Sequence, residues 1–158
     1  EFREEWAAFD LLYKAKKIEI KTSAYSQVWN PGNPTTPKFG IAQQKRTWSG
    51  TLESFTPPEG WKGEKRRSGY YEFHDPPQRT ADVYIFCLHD PLLDGNFTPA
   101  ENSNVSDMDC WKFWVIATNK LNVHVGSQKT IGLSSLNRIA SSVGYENLKA
   151  VVDNELLE

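Results

Sequence analysis

The stretch Asp10–Trp29, which reads DLLYKAKKIEIKTSAYSQVW, holds two short apolar runs separated by a polar turn. In the second run, two isoleucines alternate with Glu19 and Lys21. This period of two predicts a strand with the isoleucines on one side and the charges on the other. If the runs pair as a hairpin around residues 14–16, Asp10 falls within about one residue of facing Glu19 or Lys21. One patch is therefore expected to hold two carboxylates and one ammonium.

Such a patch has a chemical meaning. Mg2+ prefers hard oxygen ligands, and proteins often hold it through one or two carboxylates together with substrate phosphates and several waters. An ammonium beside the cation can orient an attacking water or stabilise charge that develops on a phosphate. The trio is compatible with metal-dependent chemistry on a phosphate ester.

The order of these residues resembles the PD-(D/E)XK nuclease superfamily, the restriction-endonuclease-like group, and within it a bacterial branch. An Asp, a gap of eight residues and Glu-x-Lys are followed here by a Gln and a Trp. The resemblance implies that Asp10 and Glu19 hold Mg2+ (or Mn2+) and that Lys21 assists hydrolysis of a phosphodiester. Gln27 matches an auxiliary glutamine of some branches. The expected activity is that of an endonuclease, with DNA as the expected substrate.

The N-terminal residues depart from this pattern. In the family a helix usually precedes the Asp strand and often donates one more acid, which Glu4 or Glu5 would match. Only nine residues precede Asp10, and a helix this short is marginal. The chain is therefore either a fragment or has its first helix elsewhere. Phe9 stands where many members carry Pro, a position that varies in the superfamily.

Other interpretations of the same residues stay open. Glu-x-Lys is common by chance, and an edge hairpin carries charges simply to prevent aggregation. The main functional alternative is a non-catalytic nucleic-acid-binding module that retains a nuclease-like fold. A third is a protein-interaction domain that uses the aromatic segment 61–71.

Composition sets the outer bounds. The 158 residues suit a single domain, and the net charge of −2 gives no global basic signature for nucleic acid. Cys87 and Cys110 lie in or beside apolar runs, which favours reduced thiols in a cytoplasmic protein. The chain has no apolar run near 18 residues and no signal peptide, so no membrane association is expected. A homodimer is left open.

Local basic residues supply the candidate contacts to nucleic acid. Loop insertions are predicted at about 30–37, 49–80 and 90–110, and in the second of these, cations interleave with aromatic residues. The alternative is a solvated loop whose cations balance nearby glutamates. Arg79 could contact a phosphate or form a salt bridge with Asp82. The full set of candidate contacts is Lys45, Arg46, Lys62, Lys65, Arg66, Arg67 and Arg79.

The remaining strands follow from apolar runs. Residues 81–89 contain the strongest buried strand, VYIFCL, and residues 111–118 are predicted to pair beside it. Residues 38–43 are expected to extend the same sheet. A turn is predicted at 119–122 and another short strand at 123–125.

The C-terminal third has helical periodicity. Apolar spacings of three and four predict helices over 132–143 and 145–157, with Gly144 closing the first as a C-cap. Both helices are expected to cover one face of the sheet. The fold class is therefore α/β or α+β, with a mixed central β-sheet flanked by helices.

Overall fold

A computed structural model of the chain describes residues 8–25, 36–49, 55–67, 69–90 and 107–157. It has a mixed α+β architecture, which confirms the predicted class of a mixed sheet flanked by helices. The elements, in chain order, are β1 (Leu11–Tyr13), β2 (Lys16–Ala24), β3 (Lys38–Gly40), β4 (Gln44–Ser49), β5 (Gly63–Arg66), β6 (Gly69–Gln78), β7 (Val83–His89), β8 (Trp111–Ala117), α1 (Thr118–Val125), β9 (Thr130–Gly132), α2 (Leu133–Ile139) and α3 (Tyr145–Glu155).

The central sheet has four strands in the order β1-β2-β7-β8. Strands β2 and β7 run parallel, and the other two pairs are antiparallel. Every residue of β7 is buried, because this strand has a neighbour on both sides and packed layers on both faces. The predictions of a buried strand at 81–89 and of its neighbour at 111–118 are confirmed.

The predicted hairpin is also confirmed. Its two-residue turn places Lys14 at φ 50° and Ala15 at φ 61°, the left-handed pair of values that matches the twist of tightly joined strands. Leu11 then lies opposite Ile18 across the ladder. Continued by one residue, this register puts Asp10 opposite Glu19.

Helices cover both faces of the central sheet, so the prediction that two helices share one face is wrong. On one face α3 buries Val152 against Ile18 and Ile85. On the other face α1 and α2 bury Leu121 and Leu136 in a cluster built around Phe86 and Trp114 of the sheet. The α3 helix agrees with the helix predicted from residue 145.

The segment between β8 and α3 differs most from expectation. The predicted turn at 119–122 and strand at 123–125 are together the helix α1. Leu121 and Val125 are spaced by four and both are buried, and this helical spacing outweighs the alternating Val-His-Val. The helix predicted from residue 132 begins at Leu133 and ends at Ile139. Gly144 is the N-cap of α3 and does not close the preceding helix.

The predicted strand at 38–43 forms, but it does not extend the central sheet. Strand β3 pairs antiparallel with β9, and Phe39 lies opposite Ile131. Both side chains are buried in the cluster around Phe86. This two-stranded ribbon therefore packs over the central sheet, because its apolar side chains gain more contact there than at a sheet edge.

The prediction of an irregular loop over 49–80 is wrong. Strands β4, β6 and β5 form a three-stranded antiparallel sheet in that order. Its strands are rich in polar residues, glycine and proline. The alternation of apolar and polar residues that usually identifies a strand was therefore too weak to predict this sheet. The loops predicted at 30–37 and 90–110 lie mostly outside the described residues, and Met108–Cys110 is a short 3-10 helix.

Two further expectations concern the environment of the protein. No helix in the described ranges is long and apolar enough to cross a membrane. Cys87 and Cys110 are not joined in a disulfide bond. Burial raises the pKa of Cys87 to about 11, which keeps this thiol protonated and unreactive at neutral pH.

Candidate active site

Two hydrogen bonds to β2 hold the first carboxylate in place. The backbone amide of Asp10 donates to the carbonyl of Ile18 at 2.9 Å. The amide of Ile20 donates to Oδ2 of Asp10 at 2.8 Å. Backbone and side chain of Asp10 are thus both tied to β2, and its carboxylate is held beside the residues that flank Glu19.

The second carboxylate and the ammonium lie on β2 itself. Glu19 and Lys21 are two residues apart on a strand, so both project from the same face. The ammonium of Lys21 contacts Oε1 of Glu19 as an ion pair. The Glu19 side chain is only 16% exposed and that of Lys21 is 32% exposed. Because a shielded charge is costly unless it is paired, the ion pair stabilises both groups at this depth.

Strand β7 forms the other flank of this pair. Its parallel register places Tyr84 beside Glu19 and Phe86 beside Lys21. Burial, followed by the negative charge of Glu19, raises the pKa of Tyr84 to about 12. Tyr84 is therefore a neutral phenol at physiological pH.

Sequence reasoning missed Tyr84 as a neighbour of the site. In the sequence it belongs to an apolar strand, and its alternation with Phe86 marks a buried face without saying what lies next to it. Only the parallel pairing of β2 with β7 brings Tyr84, 65 residues later in the chain, beside Glu19.

The donor set suits a hard divalent cation. Mg2+ is commonly held by one or two carboxylates while phosphates and waters complete its shell. Asp10 and Glu19 provide two carboxylates from adjacent strands, and a carboxylate with about four lone-pair positions can ligate while it accepts one amide hydrogen bond. Within the described ranges no group of three or more His, Cys, Asp or Glu side chains forms an all-protein metal cage. The residues therefore fit a cation shared with a substrate.

Three further residues of the predicted site cannot be placed. Gln27, Glu4 and Glu5 lie outside the residues that the structure describes. Their assignment as an auxiliary residue and as additional acids stays a prediction.

Arg79 does not lie at the surface, where the predicted contact with a phosphate would need it. Its side chain is buried, and the residue is 6% exposed. The guanidinium donates to the carbonyls of Ile41, Gly126 and Gln128 and to the side-chain oxygen of Asn122, at 2.6–2.9 Å. A guanidinium with four acceptors inside the protein cannot also bind a phosphate, so its assignment to nucleic-acid binding is wrong.

The alternative salt bridge between Arg79 and Asp82 is also wrong. Asp82 uses its carboxylate to accept from the backbone amide of Lys17 at 2.7 Å. Arg79 instead joins the segment after β3 to the end of α1, where carbonyl groups would otherwise lack donors.

The other predicted cations gather on the three-stranded sheet. All are exposed: Lys45 and Arg46 lie on β4, Lys65 and Arg66 on β5, Lys62 just before β5, and Arg67 in the turn that follows it. Arg66 pairs with Glu64 at 2.8 Å. These cations therefore belong to a sheet distinct from the hairpin that carries Asp10 and Glu19.

A cavity of about 500 Å3 lies away from the three charged residues. It opens where β2 and β7 begin, at Lys16 and Asp82, and His74 of β6 also lines it. Asp10, Glu19 and Lys21 do not line it. The candidate site is thus separate from this cavity.

Comparisons with known proteins bring no further information, because no protein-family model, no curated protein sequence and no solved structure matches the chain.

Proposed function

We propose that this protein is a metal-dependent nuclease of the PD-(D/E)XK type that hydrolyses phosphodiester bonds, with DNA as the expected substrate. One observation carries the proposal. The register of the β1–β2 hairpin sets Asp10 against Glu19, and Lys21 projects from the same strand face as Glu19. Two carboxylates and an ammonium on neighbouring strands are the groups that metal-assisted phosphate chemistry needs.

Asp10 and Glu19 would hold Mg2+ or Mn2+ in this scheme. When bound, the cation supplies positive charge to a phosphate oxygen and lowers the pKa of a water. The protein contributes a rigid frame, because Asp10 is tied to β2 by two hydrogen bonds and Glu19 lies in the middle of a paired strand. Metal ligands held in place in this way need no reorganisation during the reaction.

Lys21 would bind the scissile phosphate. Its ammonium already lies beside the Glu19 carboxylate and is partly shielded from water. In that position it can donate to a phosphate oxygen whose negative charge grows in the transition state, and such a donor has a large effect in a shielded site. Gln27 is proposed as a positioning residue.

A second candidate function is a nucleic-acid-binding or protein-interaction module that has the same fold without catalysis. The ion pair between Glu19 and Lys21 favours it, since each charge is satisfied by the other. Folds are reused for unrelated tasks, so the architecture does not decide between the two. With either function, the protein is proposed to work in a reducing compartment such as the cytoplasm, because Cys87 and Cys110 are not joined in a disulfide bond.

The decisive experiment measures cleavage of plasmid and single-stranded DNA with Mg2+ or Mn2+. We expect Lys21→Met to lower the cleavage rate by about 10^2- to 10^3-fold, the usual effect of losing one transition-state donor. Asp10→Asn keeps an oxygen that can accept from Ile20 and should also abolish cleavage. Lys16→Met is the matched control, since Lys16 is an exposed lysine of the same strand.

Thermal unfolding of each variant separates loss of activity from loss of fold. Cleavage that persists in both Asp10→Asn and Lys21→Met would place the activity elsewhere. An inactive wild type that still binds DNA would reject the nuclease and leave the binding module.

A further inference from the structure

The three-stranded sheet has one face whose side chains are arranged in rows across the strands. Phe73 of the middle strand β6 lies opposite Arg46 of β4. On its other side the amide of Phe73 donates to the carbonyl of Lys62 at 2.9 Å, which continues the β5–β6 register. Because opposite residues of antiparallel strands share a face, an aromatic ring lies between two cations.

The next row contains two more aromatic rings. Tyr71 lies opposite Trp48 on one side and Glu64 on the other. The centroids of the Trp48 and Tyr71 rings are 4.8 Å apart. The guanidinium carbon of Arg46 lies 4.6 Å from the centre of the Tyr71 ring, a cation–π distance that links the two rows. We name the side chains of Arg46, Trp48, Lys62, Tyr71 and Phe73 the aromatic–basic face.

The opposite face of this sheet carries its packing. There Tyr70 stacks on Phe55, with ring centroids 3.9 Å apart, and Trp61 meets Phe55 at 5.2 Å. His74 is buried and its ring nitrogen bonds to the hydroxyl of Thr47 at 2.9 Å. Aromatic packing and a buried hydrogen bond thus hold the sheet from this side, whereas Phe73 on the other side is exposed.

Phe73 shows the contrast most clearly. It lies inside a paired strand, yet 43% of its surface is exposed. An exposed ring between an Arg and a Lys offers a flat apolar surface with positive charge on both sides. This arrangement matches the chemistry of an unpaired nucleotide, which has an aromatic base and a negative phosphate.

The charge of the sheet supports the same ligand. Its described residues (44–49, 55–67 and 69–78) contain six Lys and Arg against four Asp and Glu, whereas the whole chain has a net charge of −2. The carboxylates on the aromatic–basic side are Glu64, which pairs with Arg66, and Asp75 at the far end of β6. The cations around Phe73 and at the turn after β5 therefore leave a local positive surface within an acidic protein.

We propose that the aromatic–basic face binds single-stranded nucleic acid. A base stacks on Phe73, the neighbouring rings of Tyr71 and Trp48 extend the stacking surface, and Arg46 and Lys62 bind the flanking phosphates. Stacking tolerates any base, so the binding has little sequence preference. A duplex keeps its bases stacked on each other and offers only phosphates, so it binds this face more weakly. The proposal concerns binding and stands whether or not the β1–β2 hairpin cleaves.

The test is fluorescence anisotropy with a labelled 16-nucleotide oligo-dT and a 16-base-pair duplex, both in EDTA so that no metal-dependent cleavage interferes. We expect the single strand to bind more tightly. Phe73→Ala should weaken single-strand binding by about 5- to 150-fold, the usual effect of losing one stacked base. Arg46→Ala or Lys62→Ala should each reduce the slope of log affinity against log salt by about 0.7.

Matched controls lie outside this sheet. Val123→Ala removes an exposed apolar side chain of α1, and Lys129→Ala removes an exposed lysine. Neither should change the affinity or its salt dependence. Phe73→Trp, which keeps an aromatic surface, should bind at least as tightly as the wild type.

Three results would overturn the proposal. They are equal affinity for duplex and single strand, unchanged binding by folded Phe73→Ala, or no binding of either oligonucleotide by the wild type, which would assign the face to a protein partner. Failure of the nuclease proposal appears as no cleavage by a wild type that binds the oligonucleotide, and failure of this inference appears in the binding assay alone.

Discussion

The central sheet and the three-stranded sheet bury their interior strands to different extents. Strand β7 of the central sheet is buried along its whole length, with helices α1 and α2 on one side and α3 on the other. Strand β6 of the three-stranded sheet mixes buried, half-buried and exposed positions, and its Phe73 is 43% exposed. The first sheet carries its candidate charged groups on the interior strand β2, and the second presents an exposed aromatic ring between cations on its middle strand.

This difference explains how the two proposed roles are divided. Catalysis needs a few groups held within narrow limits, and a strand tied to a buried neighbour provides that rigidity at Glu19 and Lys21. Binding of a flexible strand needs width and tolerance, which the rows around Tyr71 and Phe73 provide. Three pairs of substitutions test how far the contrast holds.

The largest effect on stability is expected from two matched phenylalanines. Phe86→Ala should lower the free energy of unfolding by about 3–5 kcal/mol, because Phe86 is fully buried in the central sheet and its loss leaves a cavity. Phe73→Ala should change it by less than about 0.5 kcal/mol, because this ring is largely exposed. Urea unfolding of both variants measures the two values. Similar losses would mean that the aromatic–basic face is part of the core.

The next largest effect on stability is expected from a comparison of two arginines, one buried and one exposed. Arg79→Lys should cost about 2–3 kcal/mol, because a lysine cannot reach the four acceptors that the buried guanidinium binds. Arg46→Lys keeps the charge at an exposed position and should be nearly neutral for stability. Chemical denaturation followed by circular dichroism compares them. A neutral Arg79→Lys would show that the hydrogen bonds of Arg79 contribute little.

The smallest effect on stability is expected from a cluster of polar side chains at the surface of α3. Asp153 of α3 accepts from Lys14 at 2.7 Å, from Lys149 at 2.6 Å and from Tyr13 at 3.0 Å. The hydrogen bonds from the two lysines hold the pKa of Asp153 well below its usual range. A depressed pKa in the folded state stabilises the protein above about pH 4, and this contribution is lost as the pH falls further.

The stability difference between wild type and Asp153→Asn should therefore be largest near pH 7 and shrink below about pH 4. Urea midpoints at pH 7 and pH 3 measure it, with the exposed Asp109→Asn as the control. A difference that stays constant between the two pH values would contradict the role of the Asp153 charge.

The parts of the fold that could be predicted are those with a local signal. The β1–β2 hairpin was readable because Glu19 and Lys21 alternate with isoleucines around a polar turn. The buried strand β7 was readable from its continuous apolar run. The three-stranded sheet was not, because a strand such as β6 contains two prolines and has too few apolar residues to stand out from a loop.

Side-chain roles followed the same division. Lys62 looks like a loop cation until the pairing of β5 with β6 sets it opposite Phe73. Arg79 has the charge of a phosphate ligand, and only burial shows that it binds backbone carbonyls instead. Sequence gives the chemical type of a side chain, whereas its partners depend on contacts between distant segments.

The sequence by itself determined the hairpin, the buried strands β7 and β8, the helix α3 and the identity of the three charged residues in the candidate site, because each depends on neighbours within a few positions. Tertiary structure alone decided that β2 runs parallel to β7, that helices cover both faces and that the polar middle of the chain forms a second sheet. The physical reason is that periodicity reports which side of an element is apolar. It does not report which distant element will cover that side, and this choice is made by the packing of the whole chain.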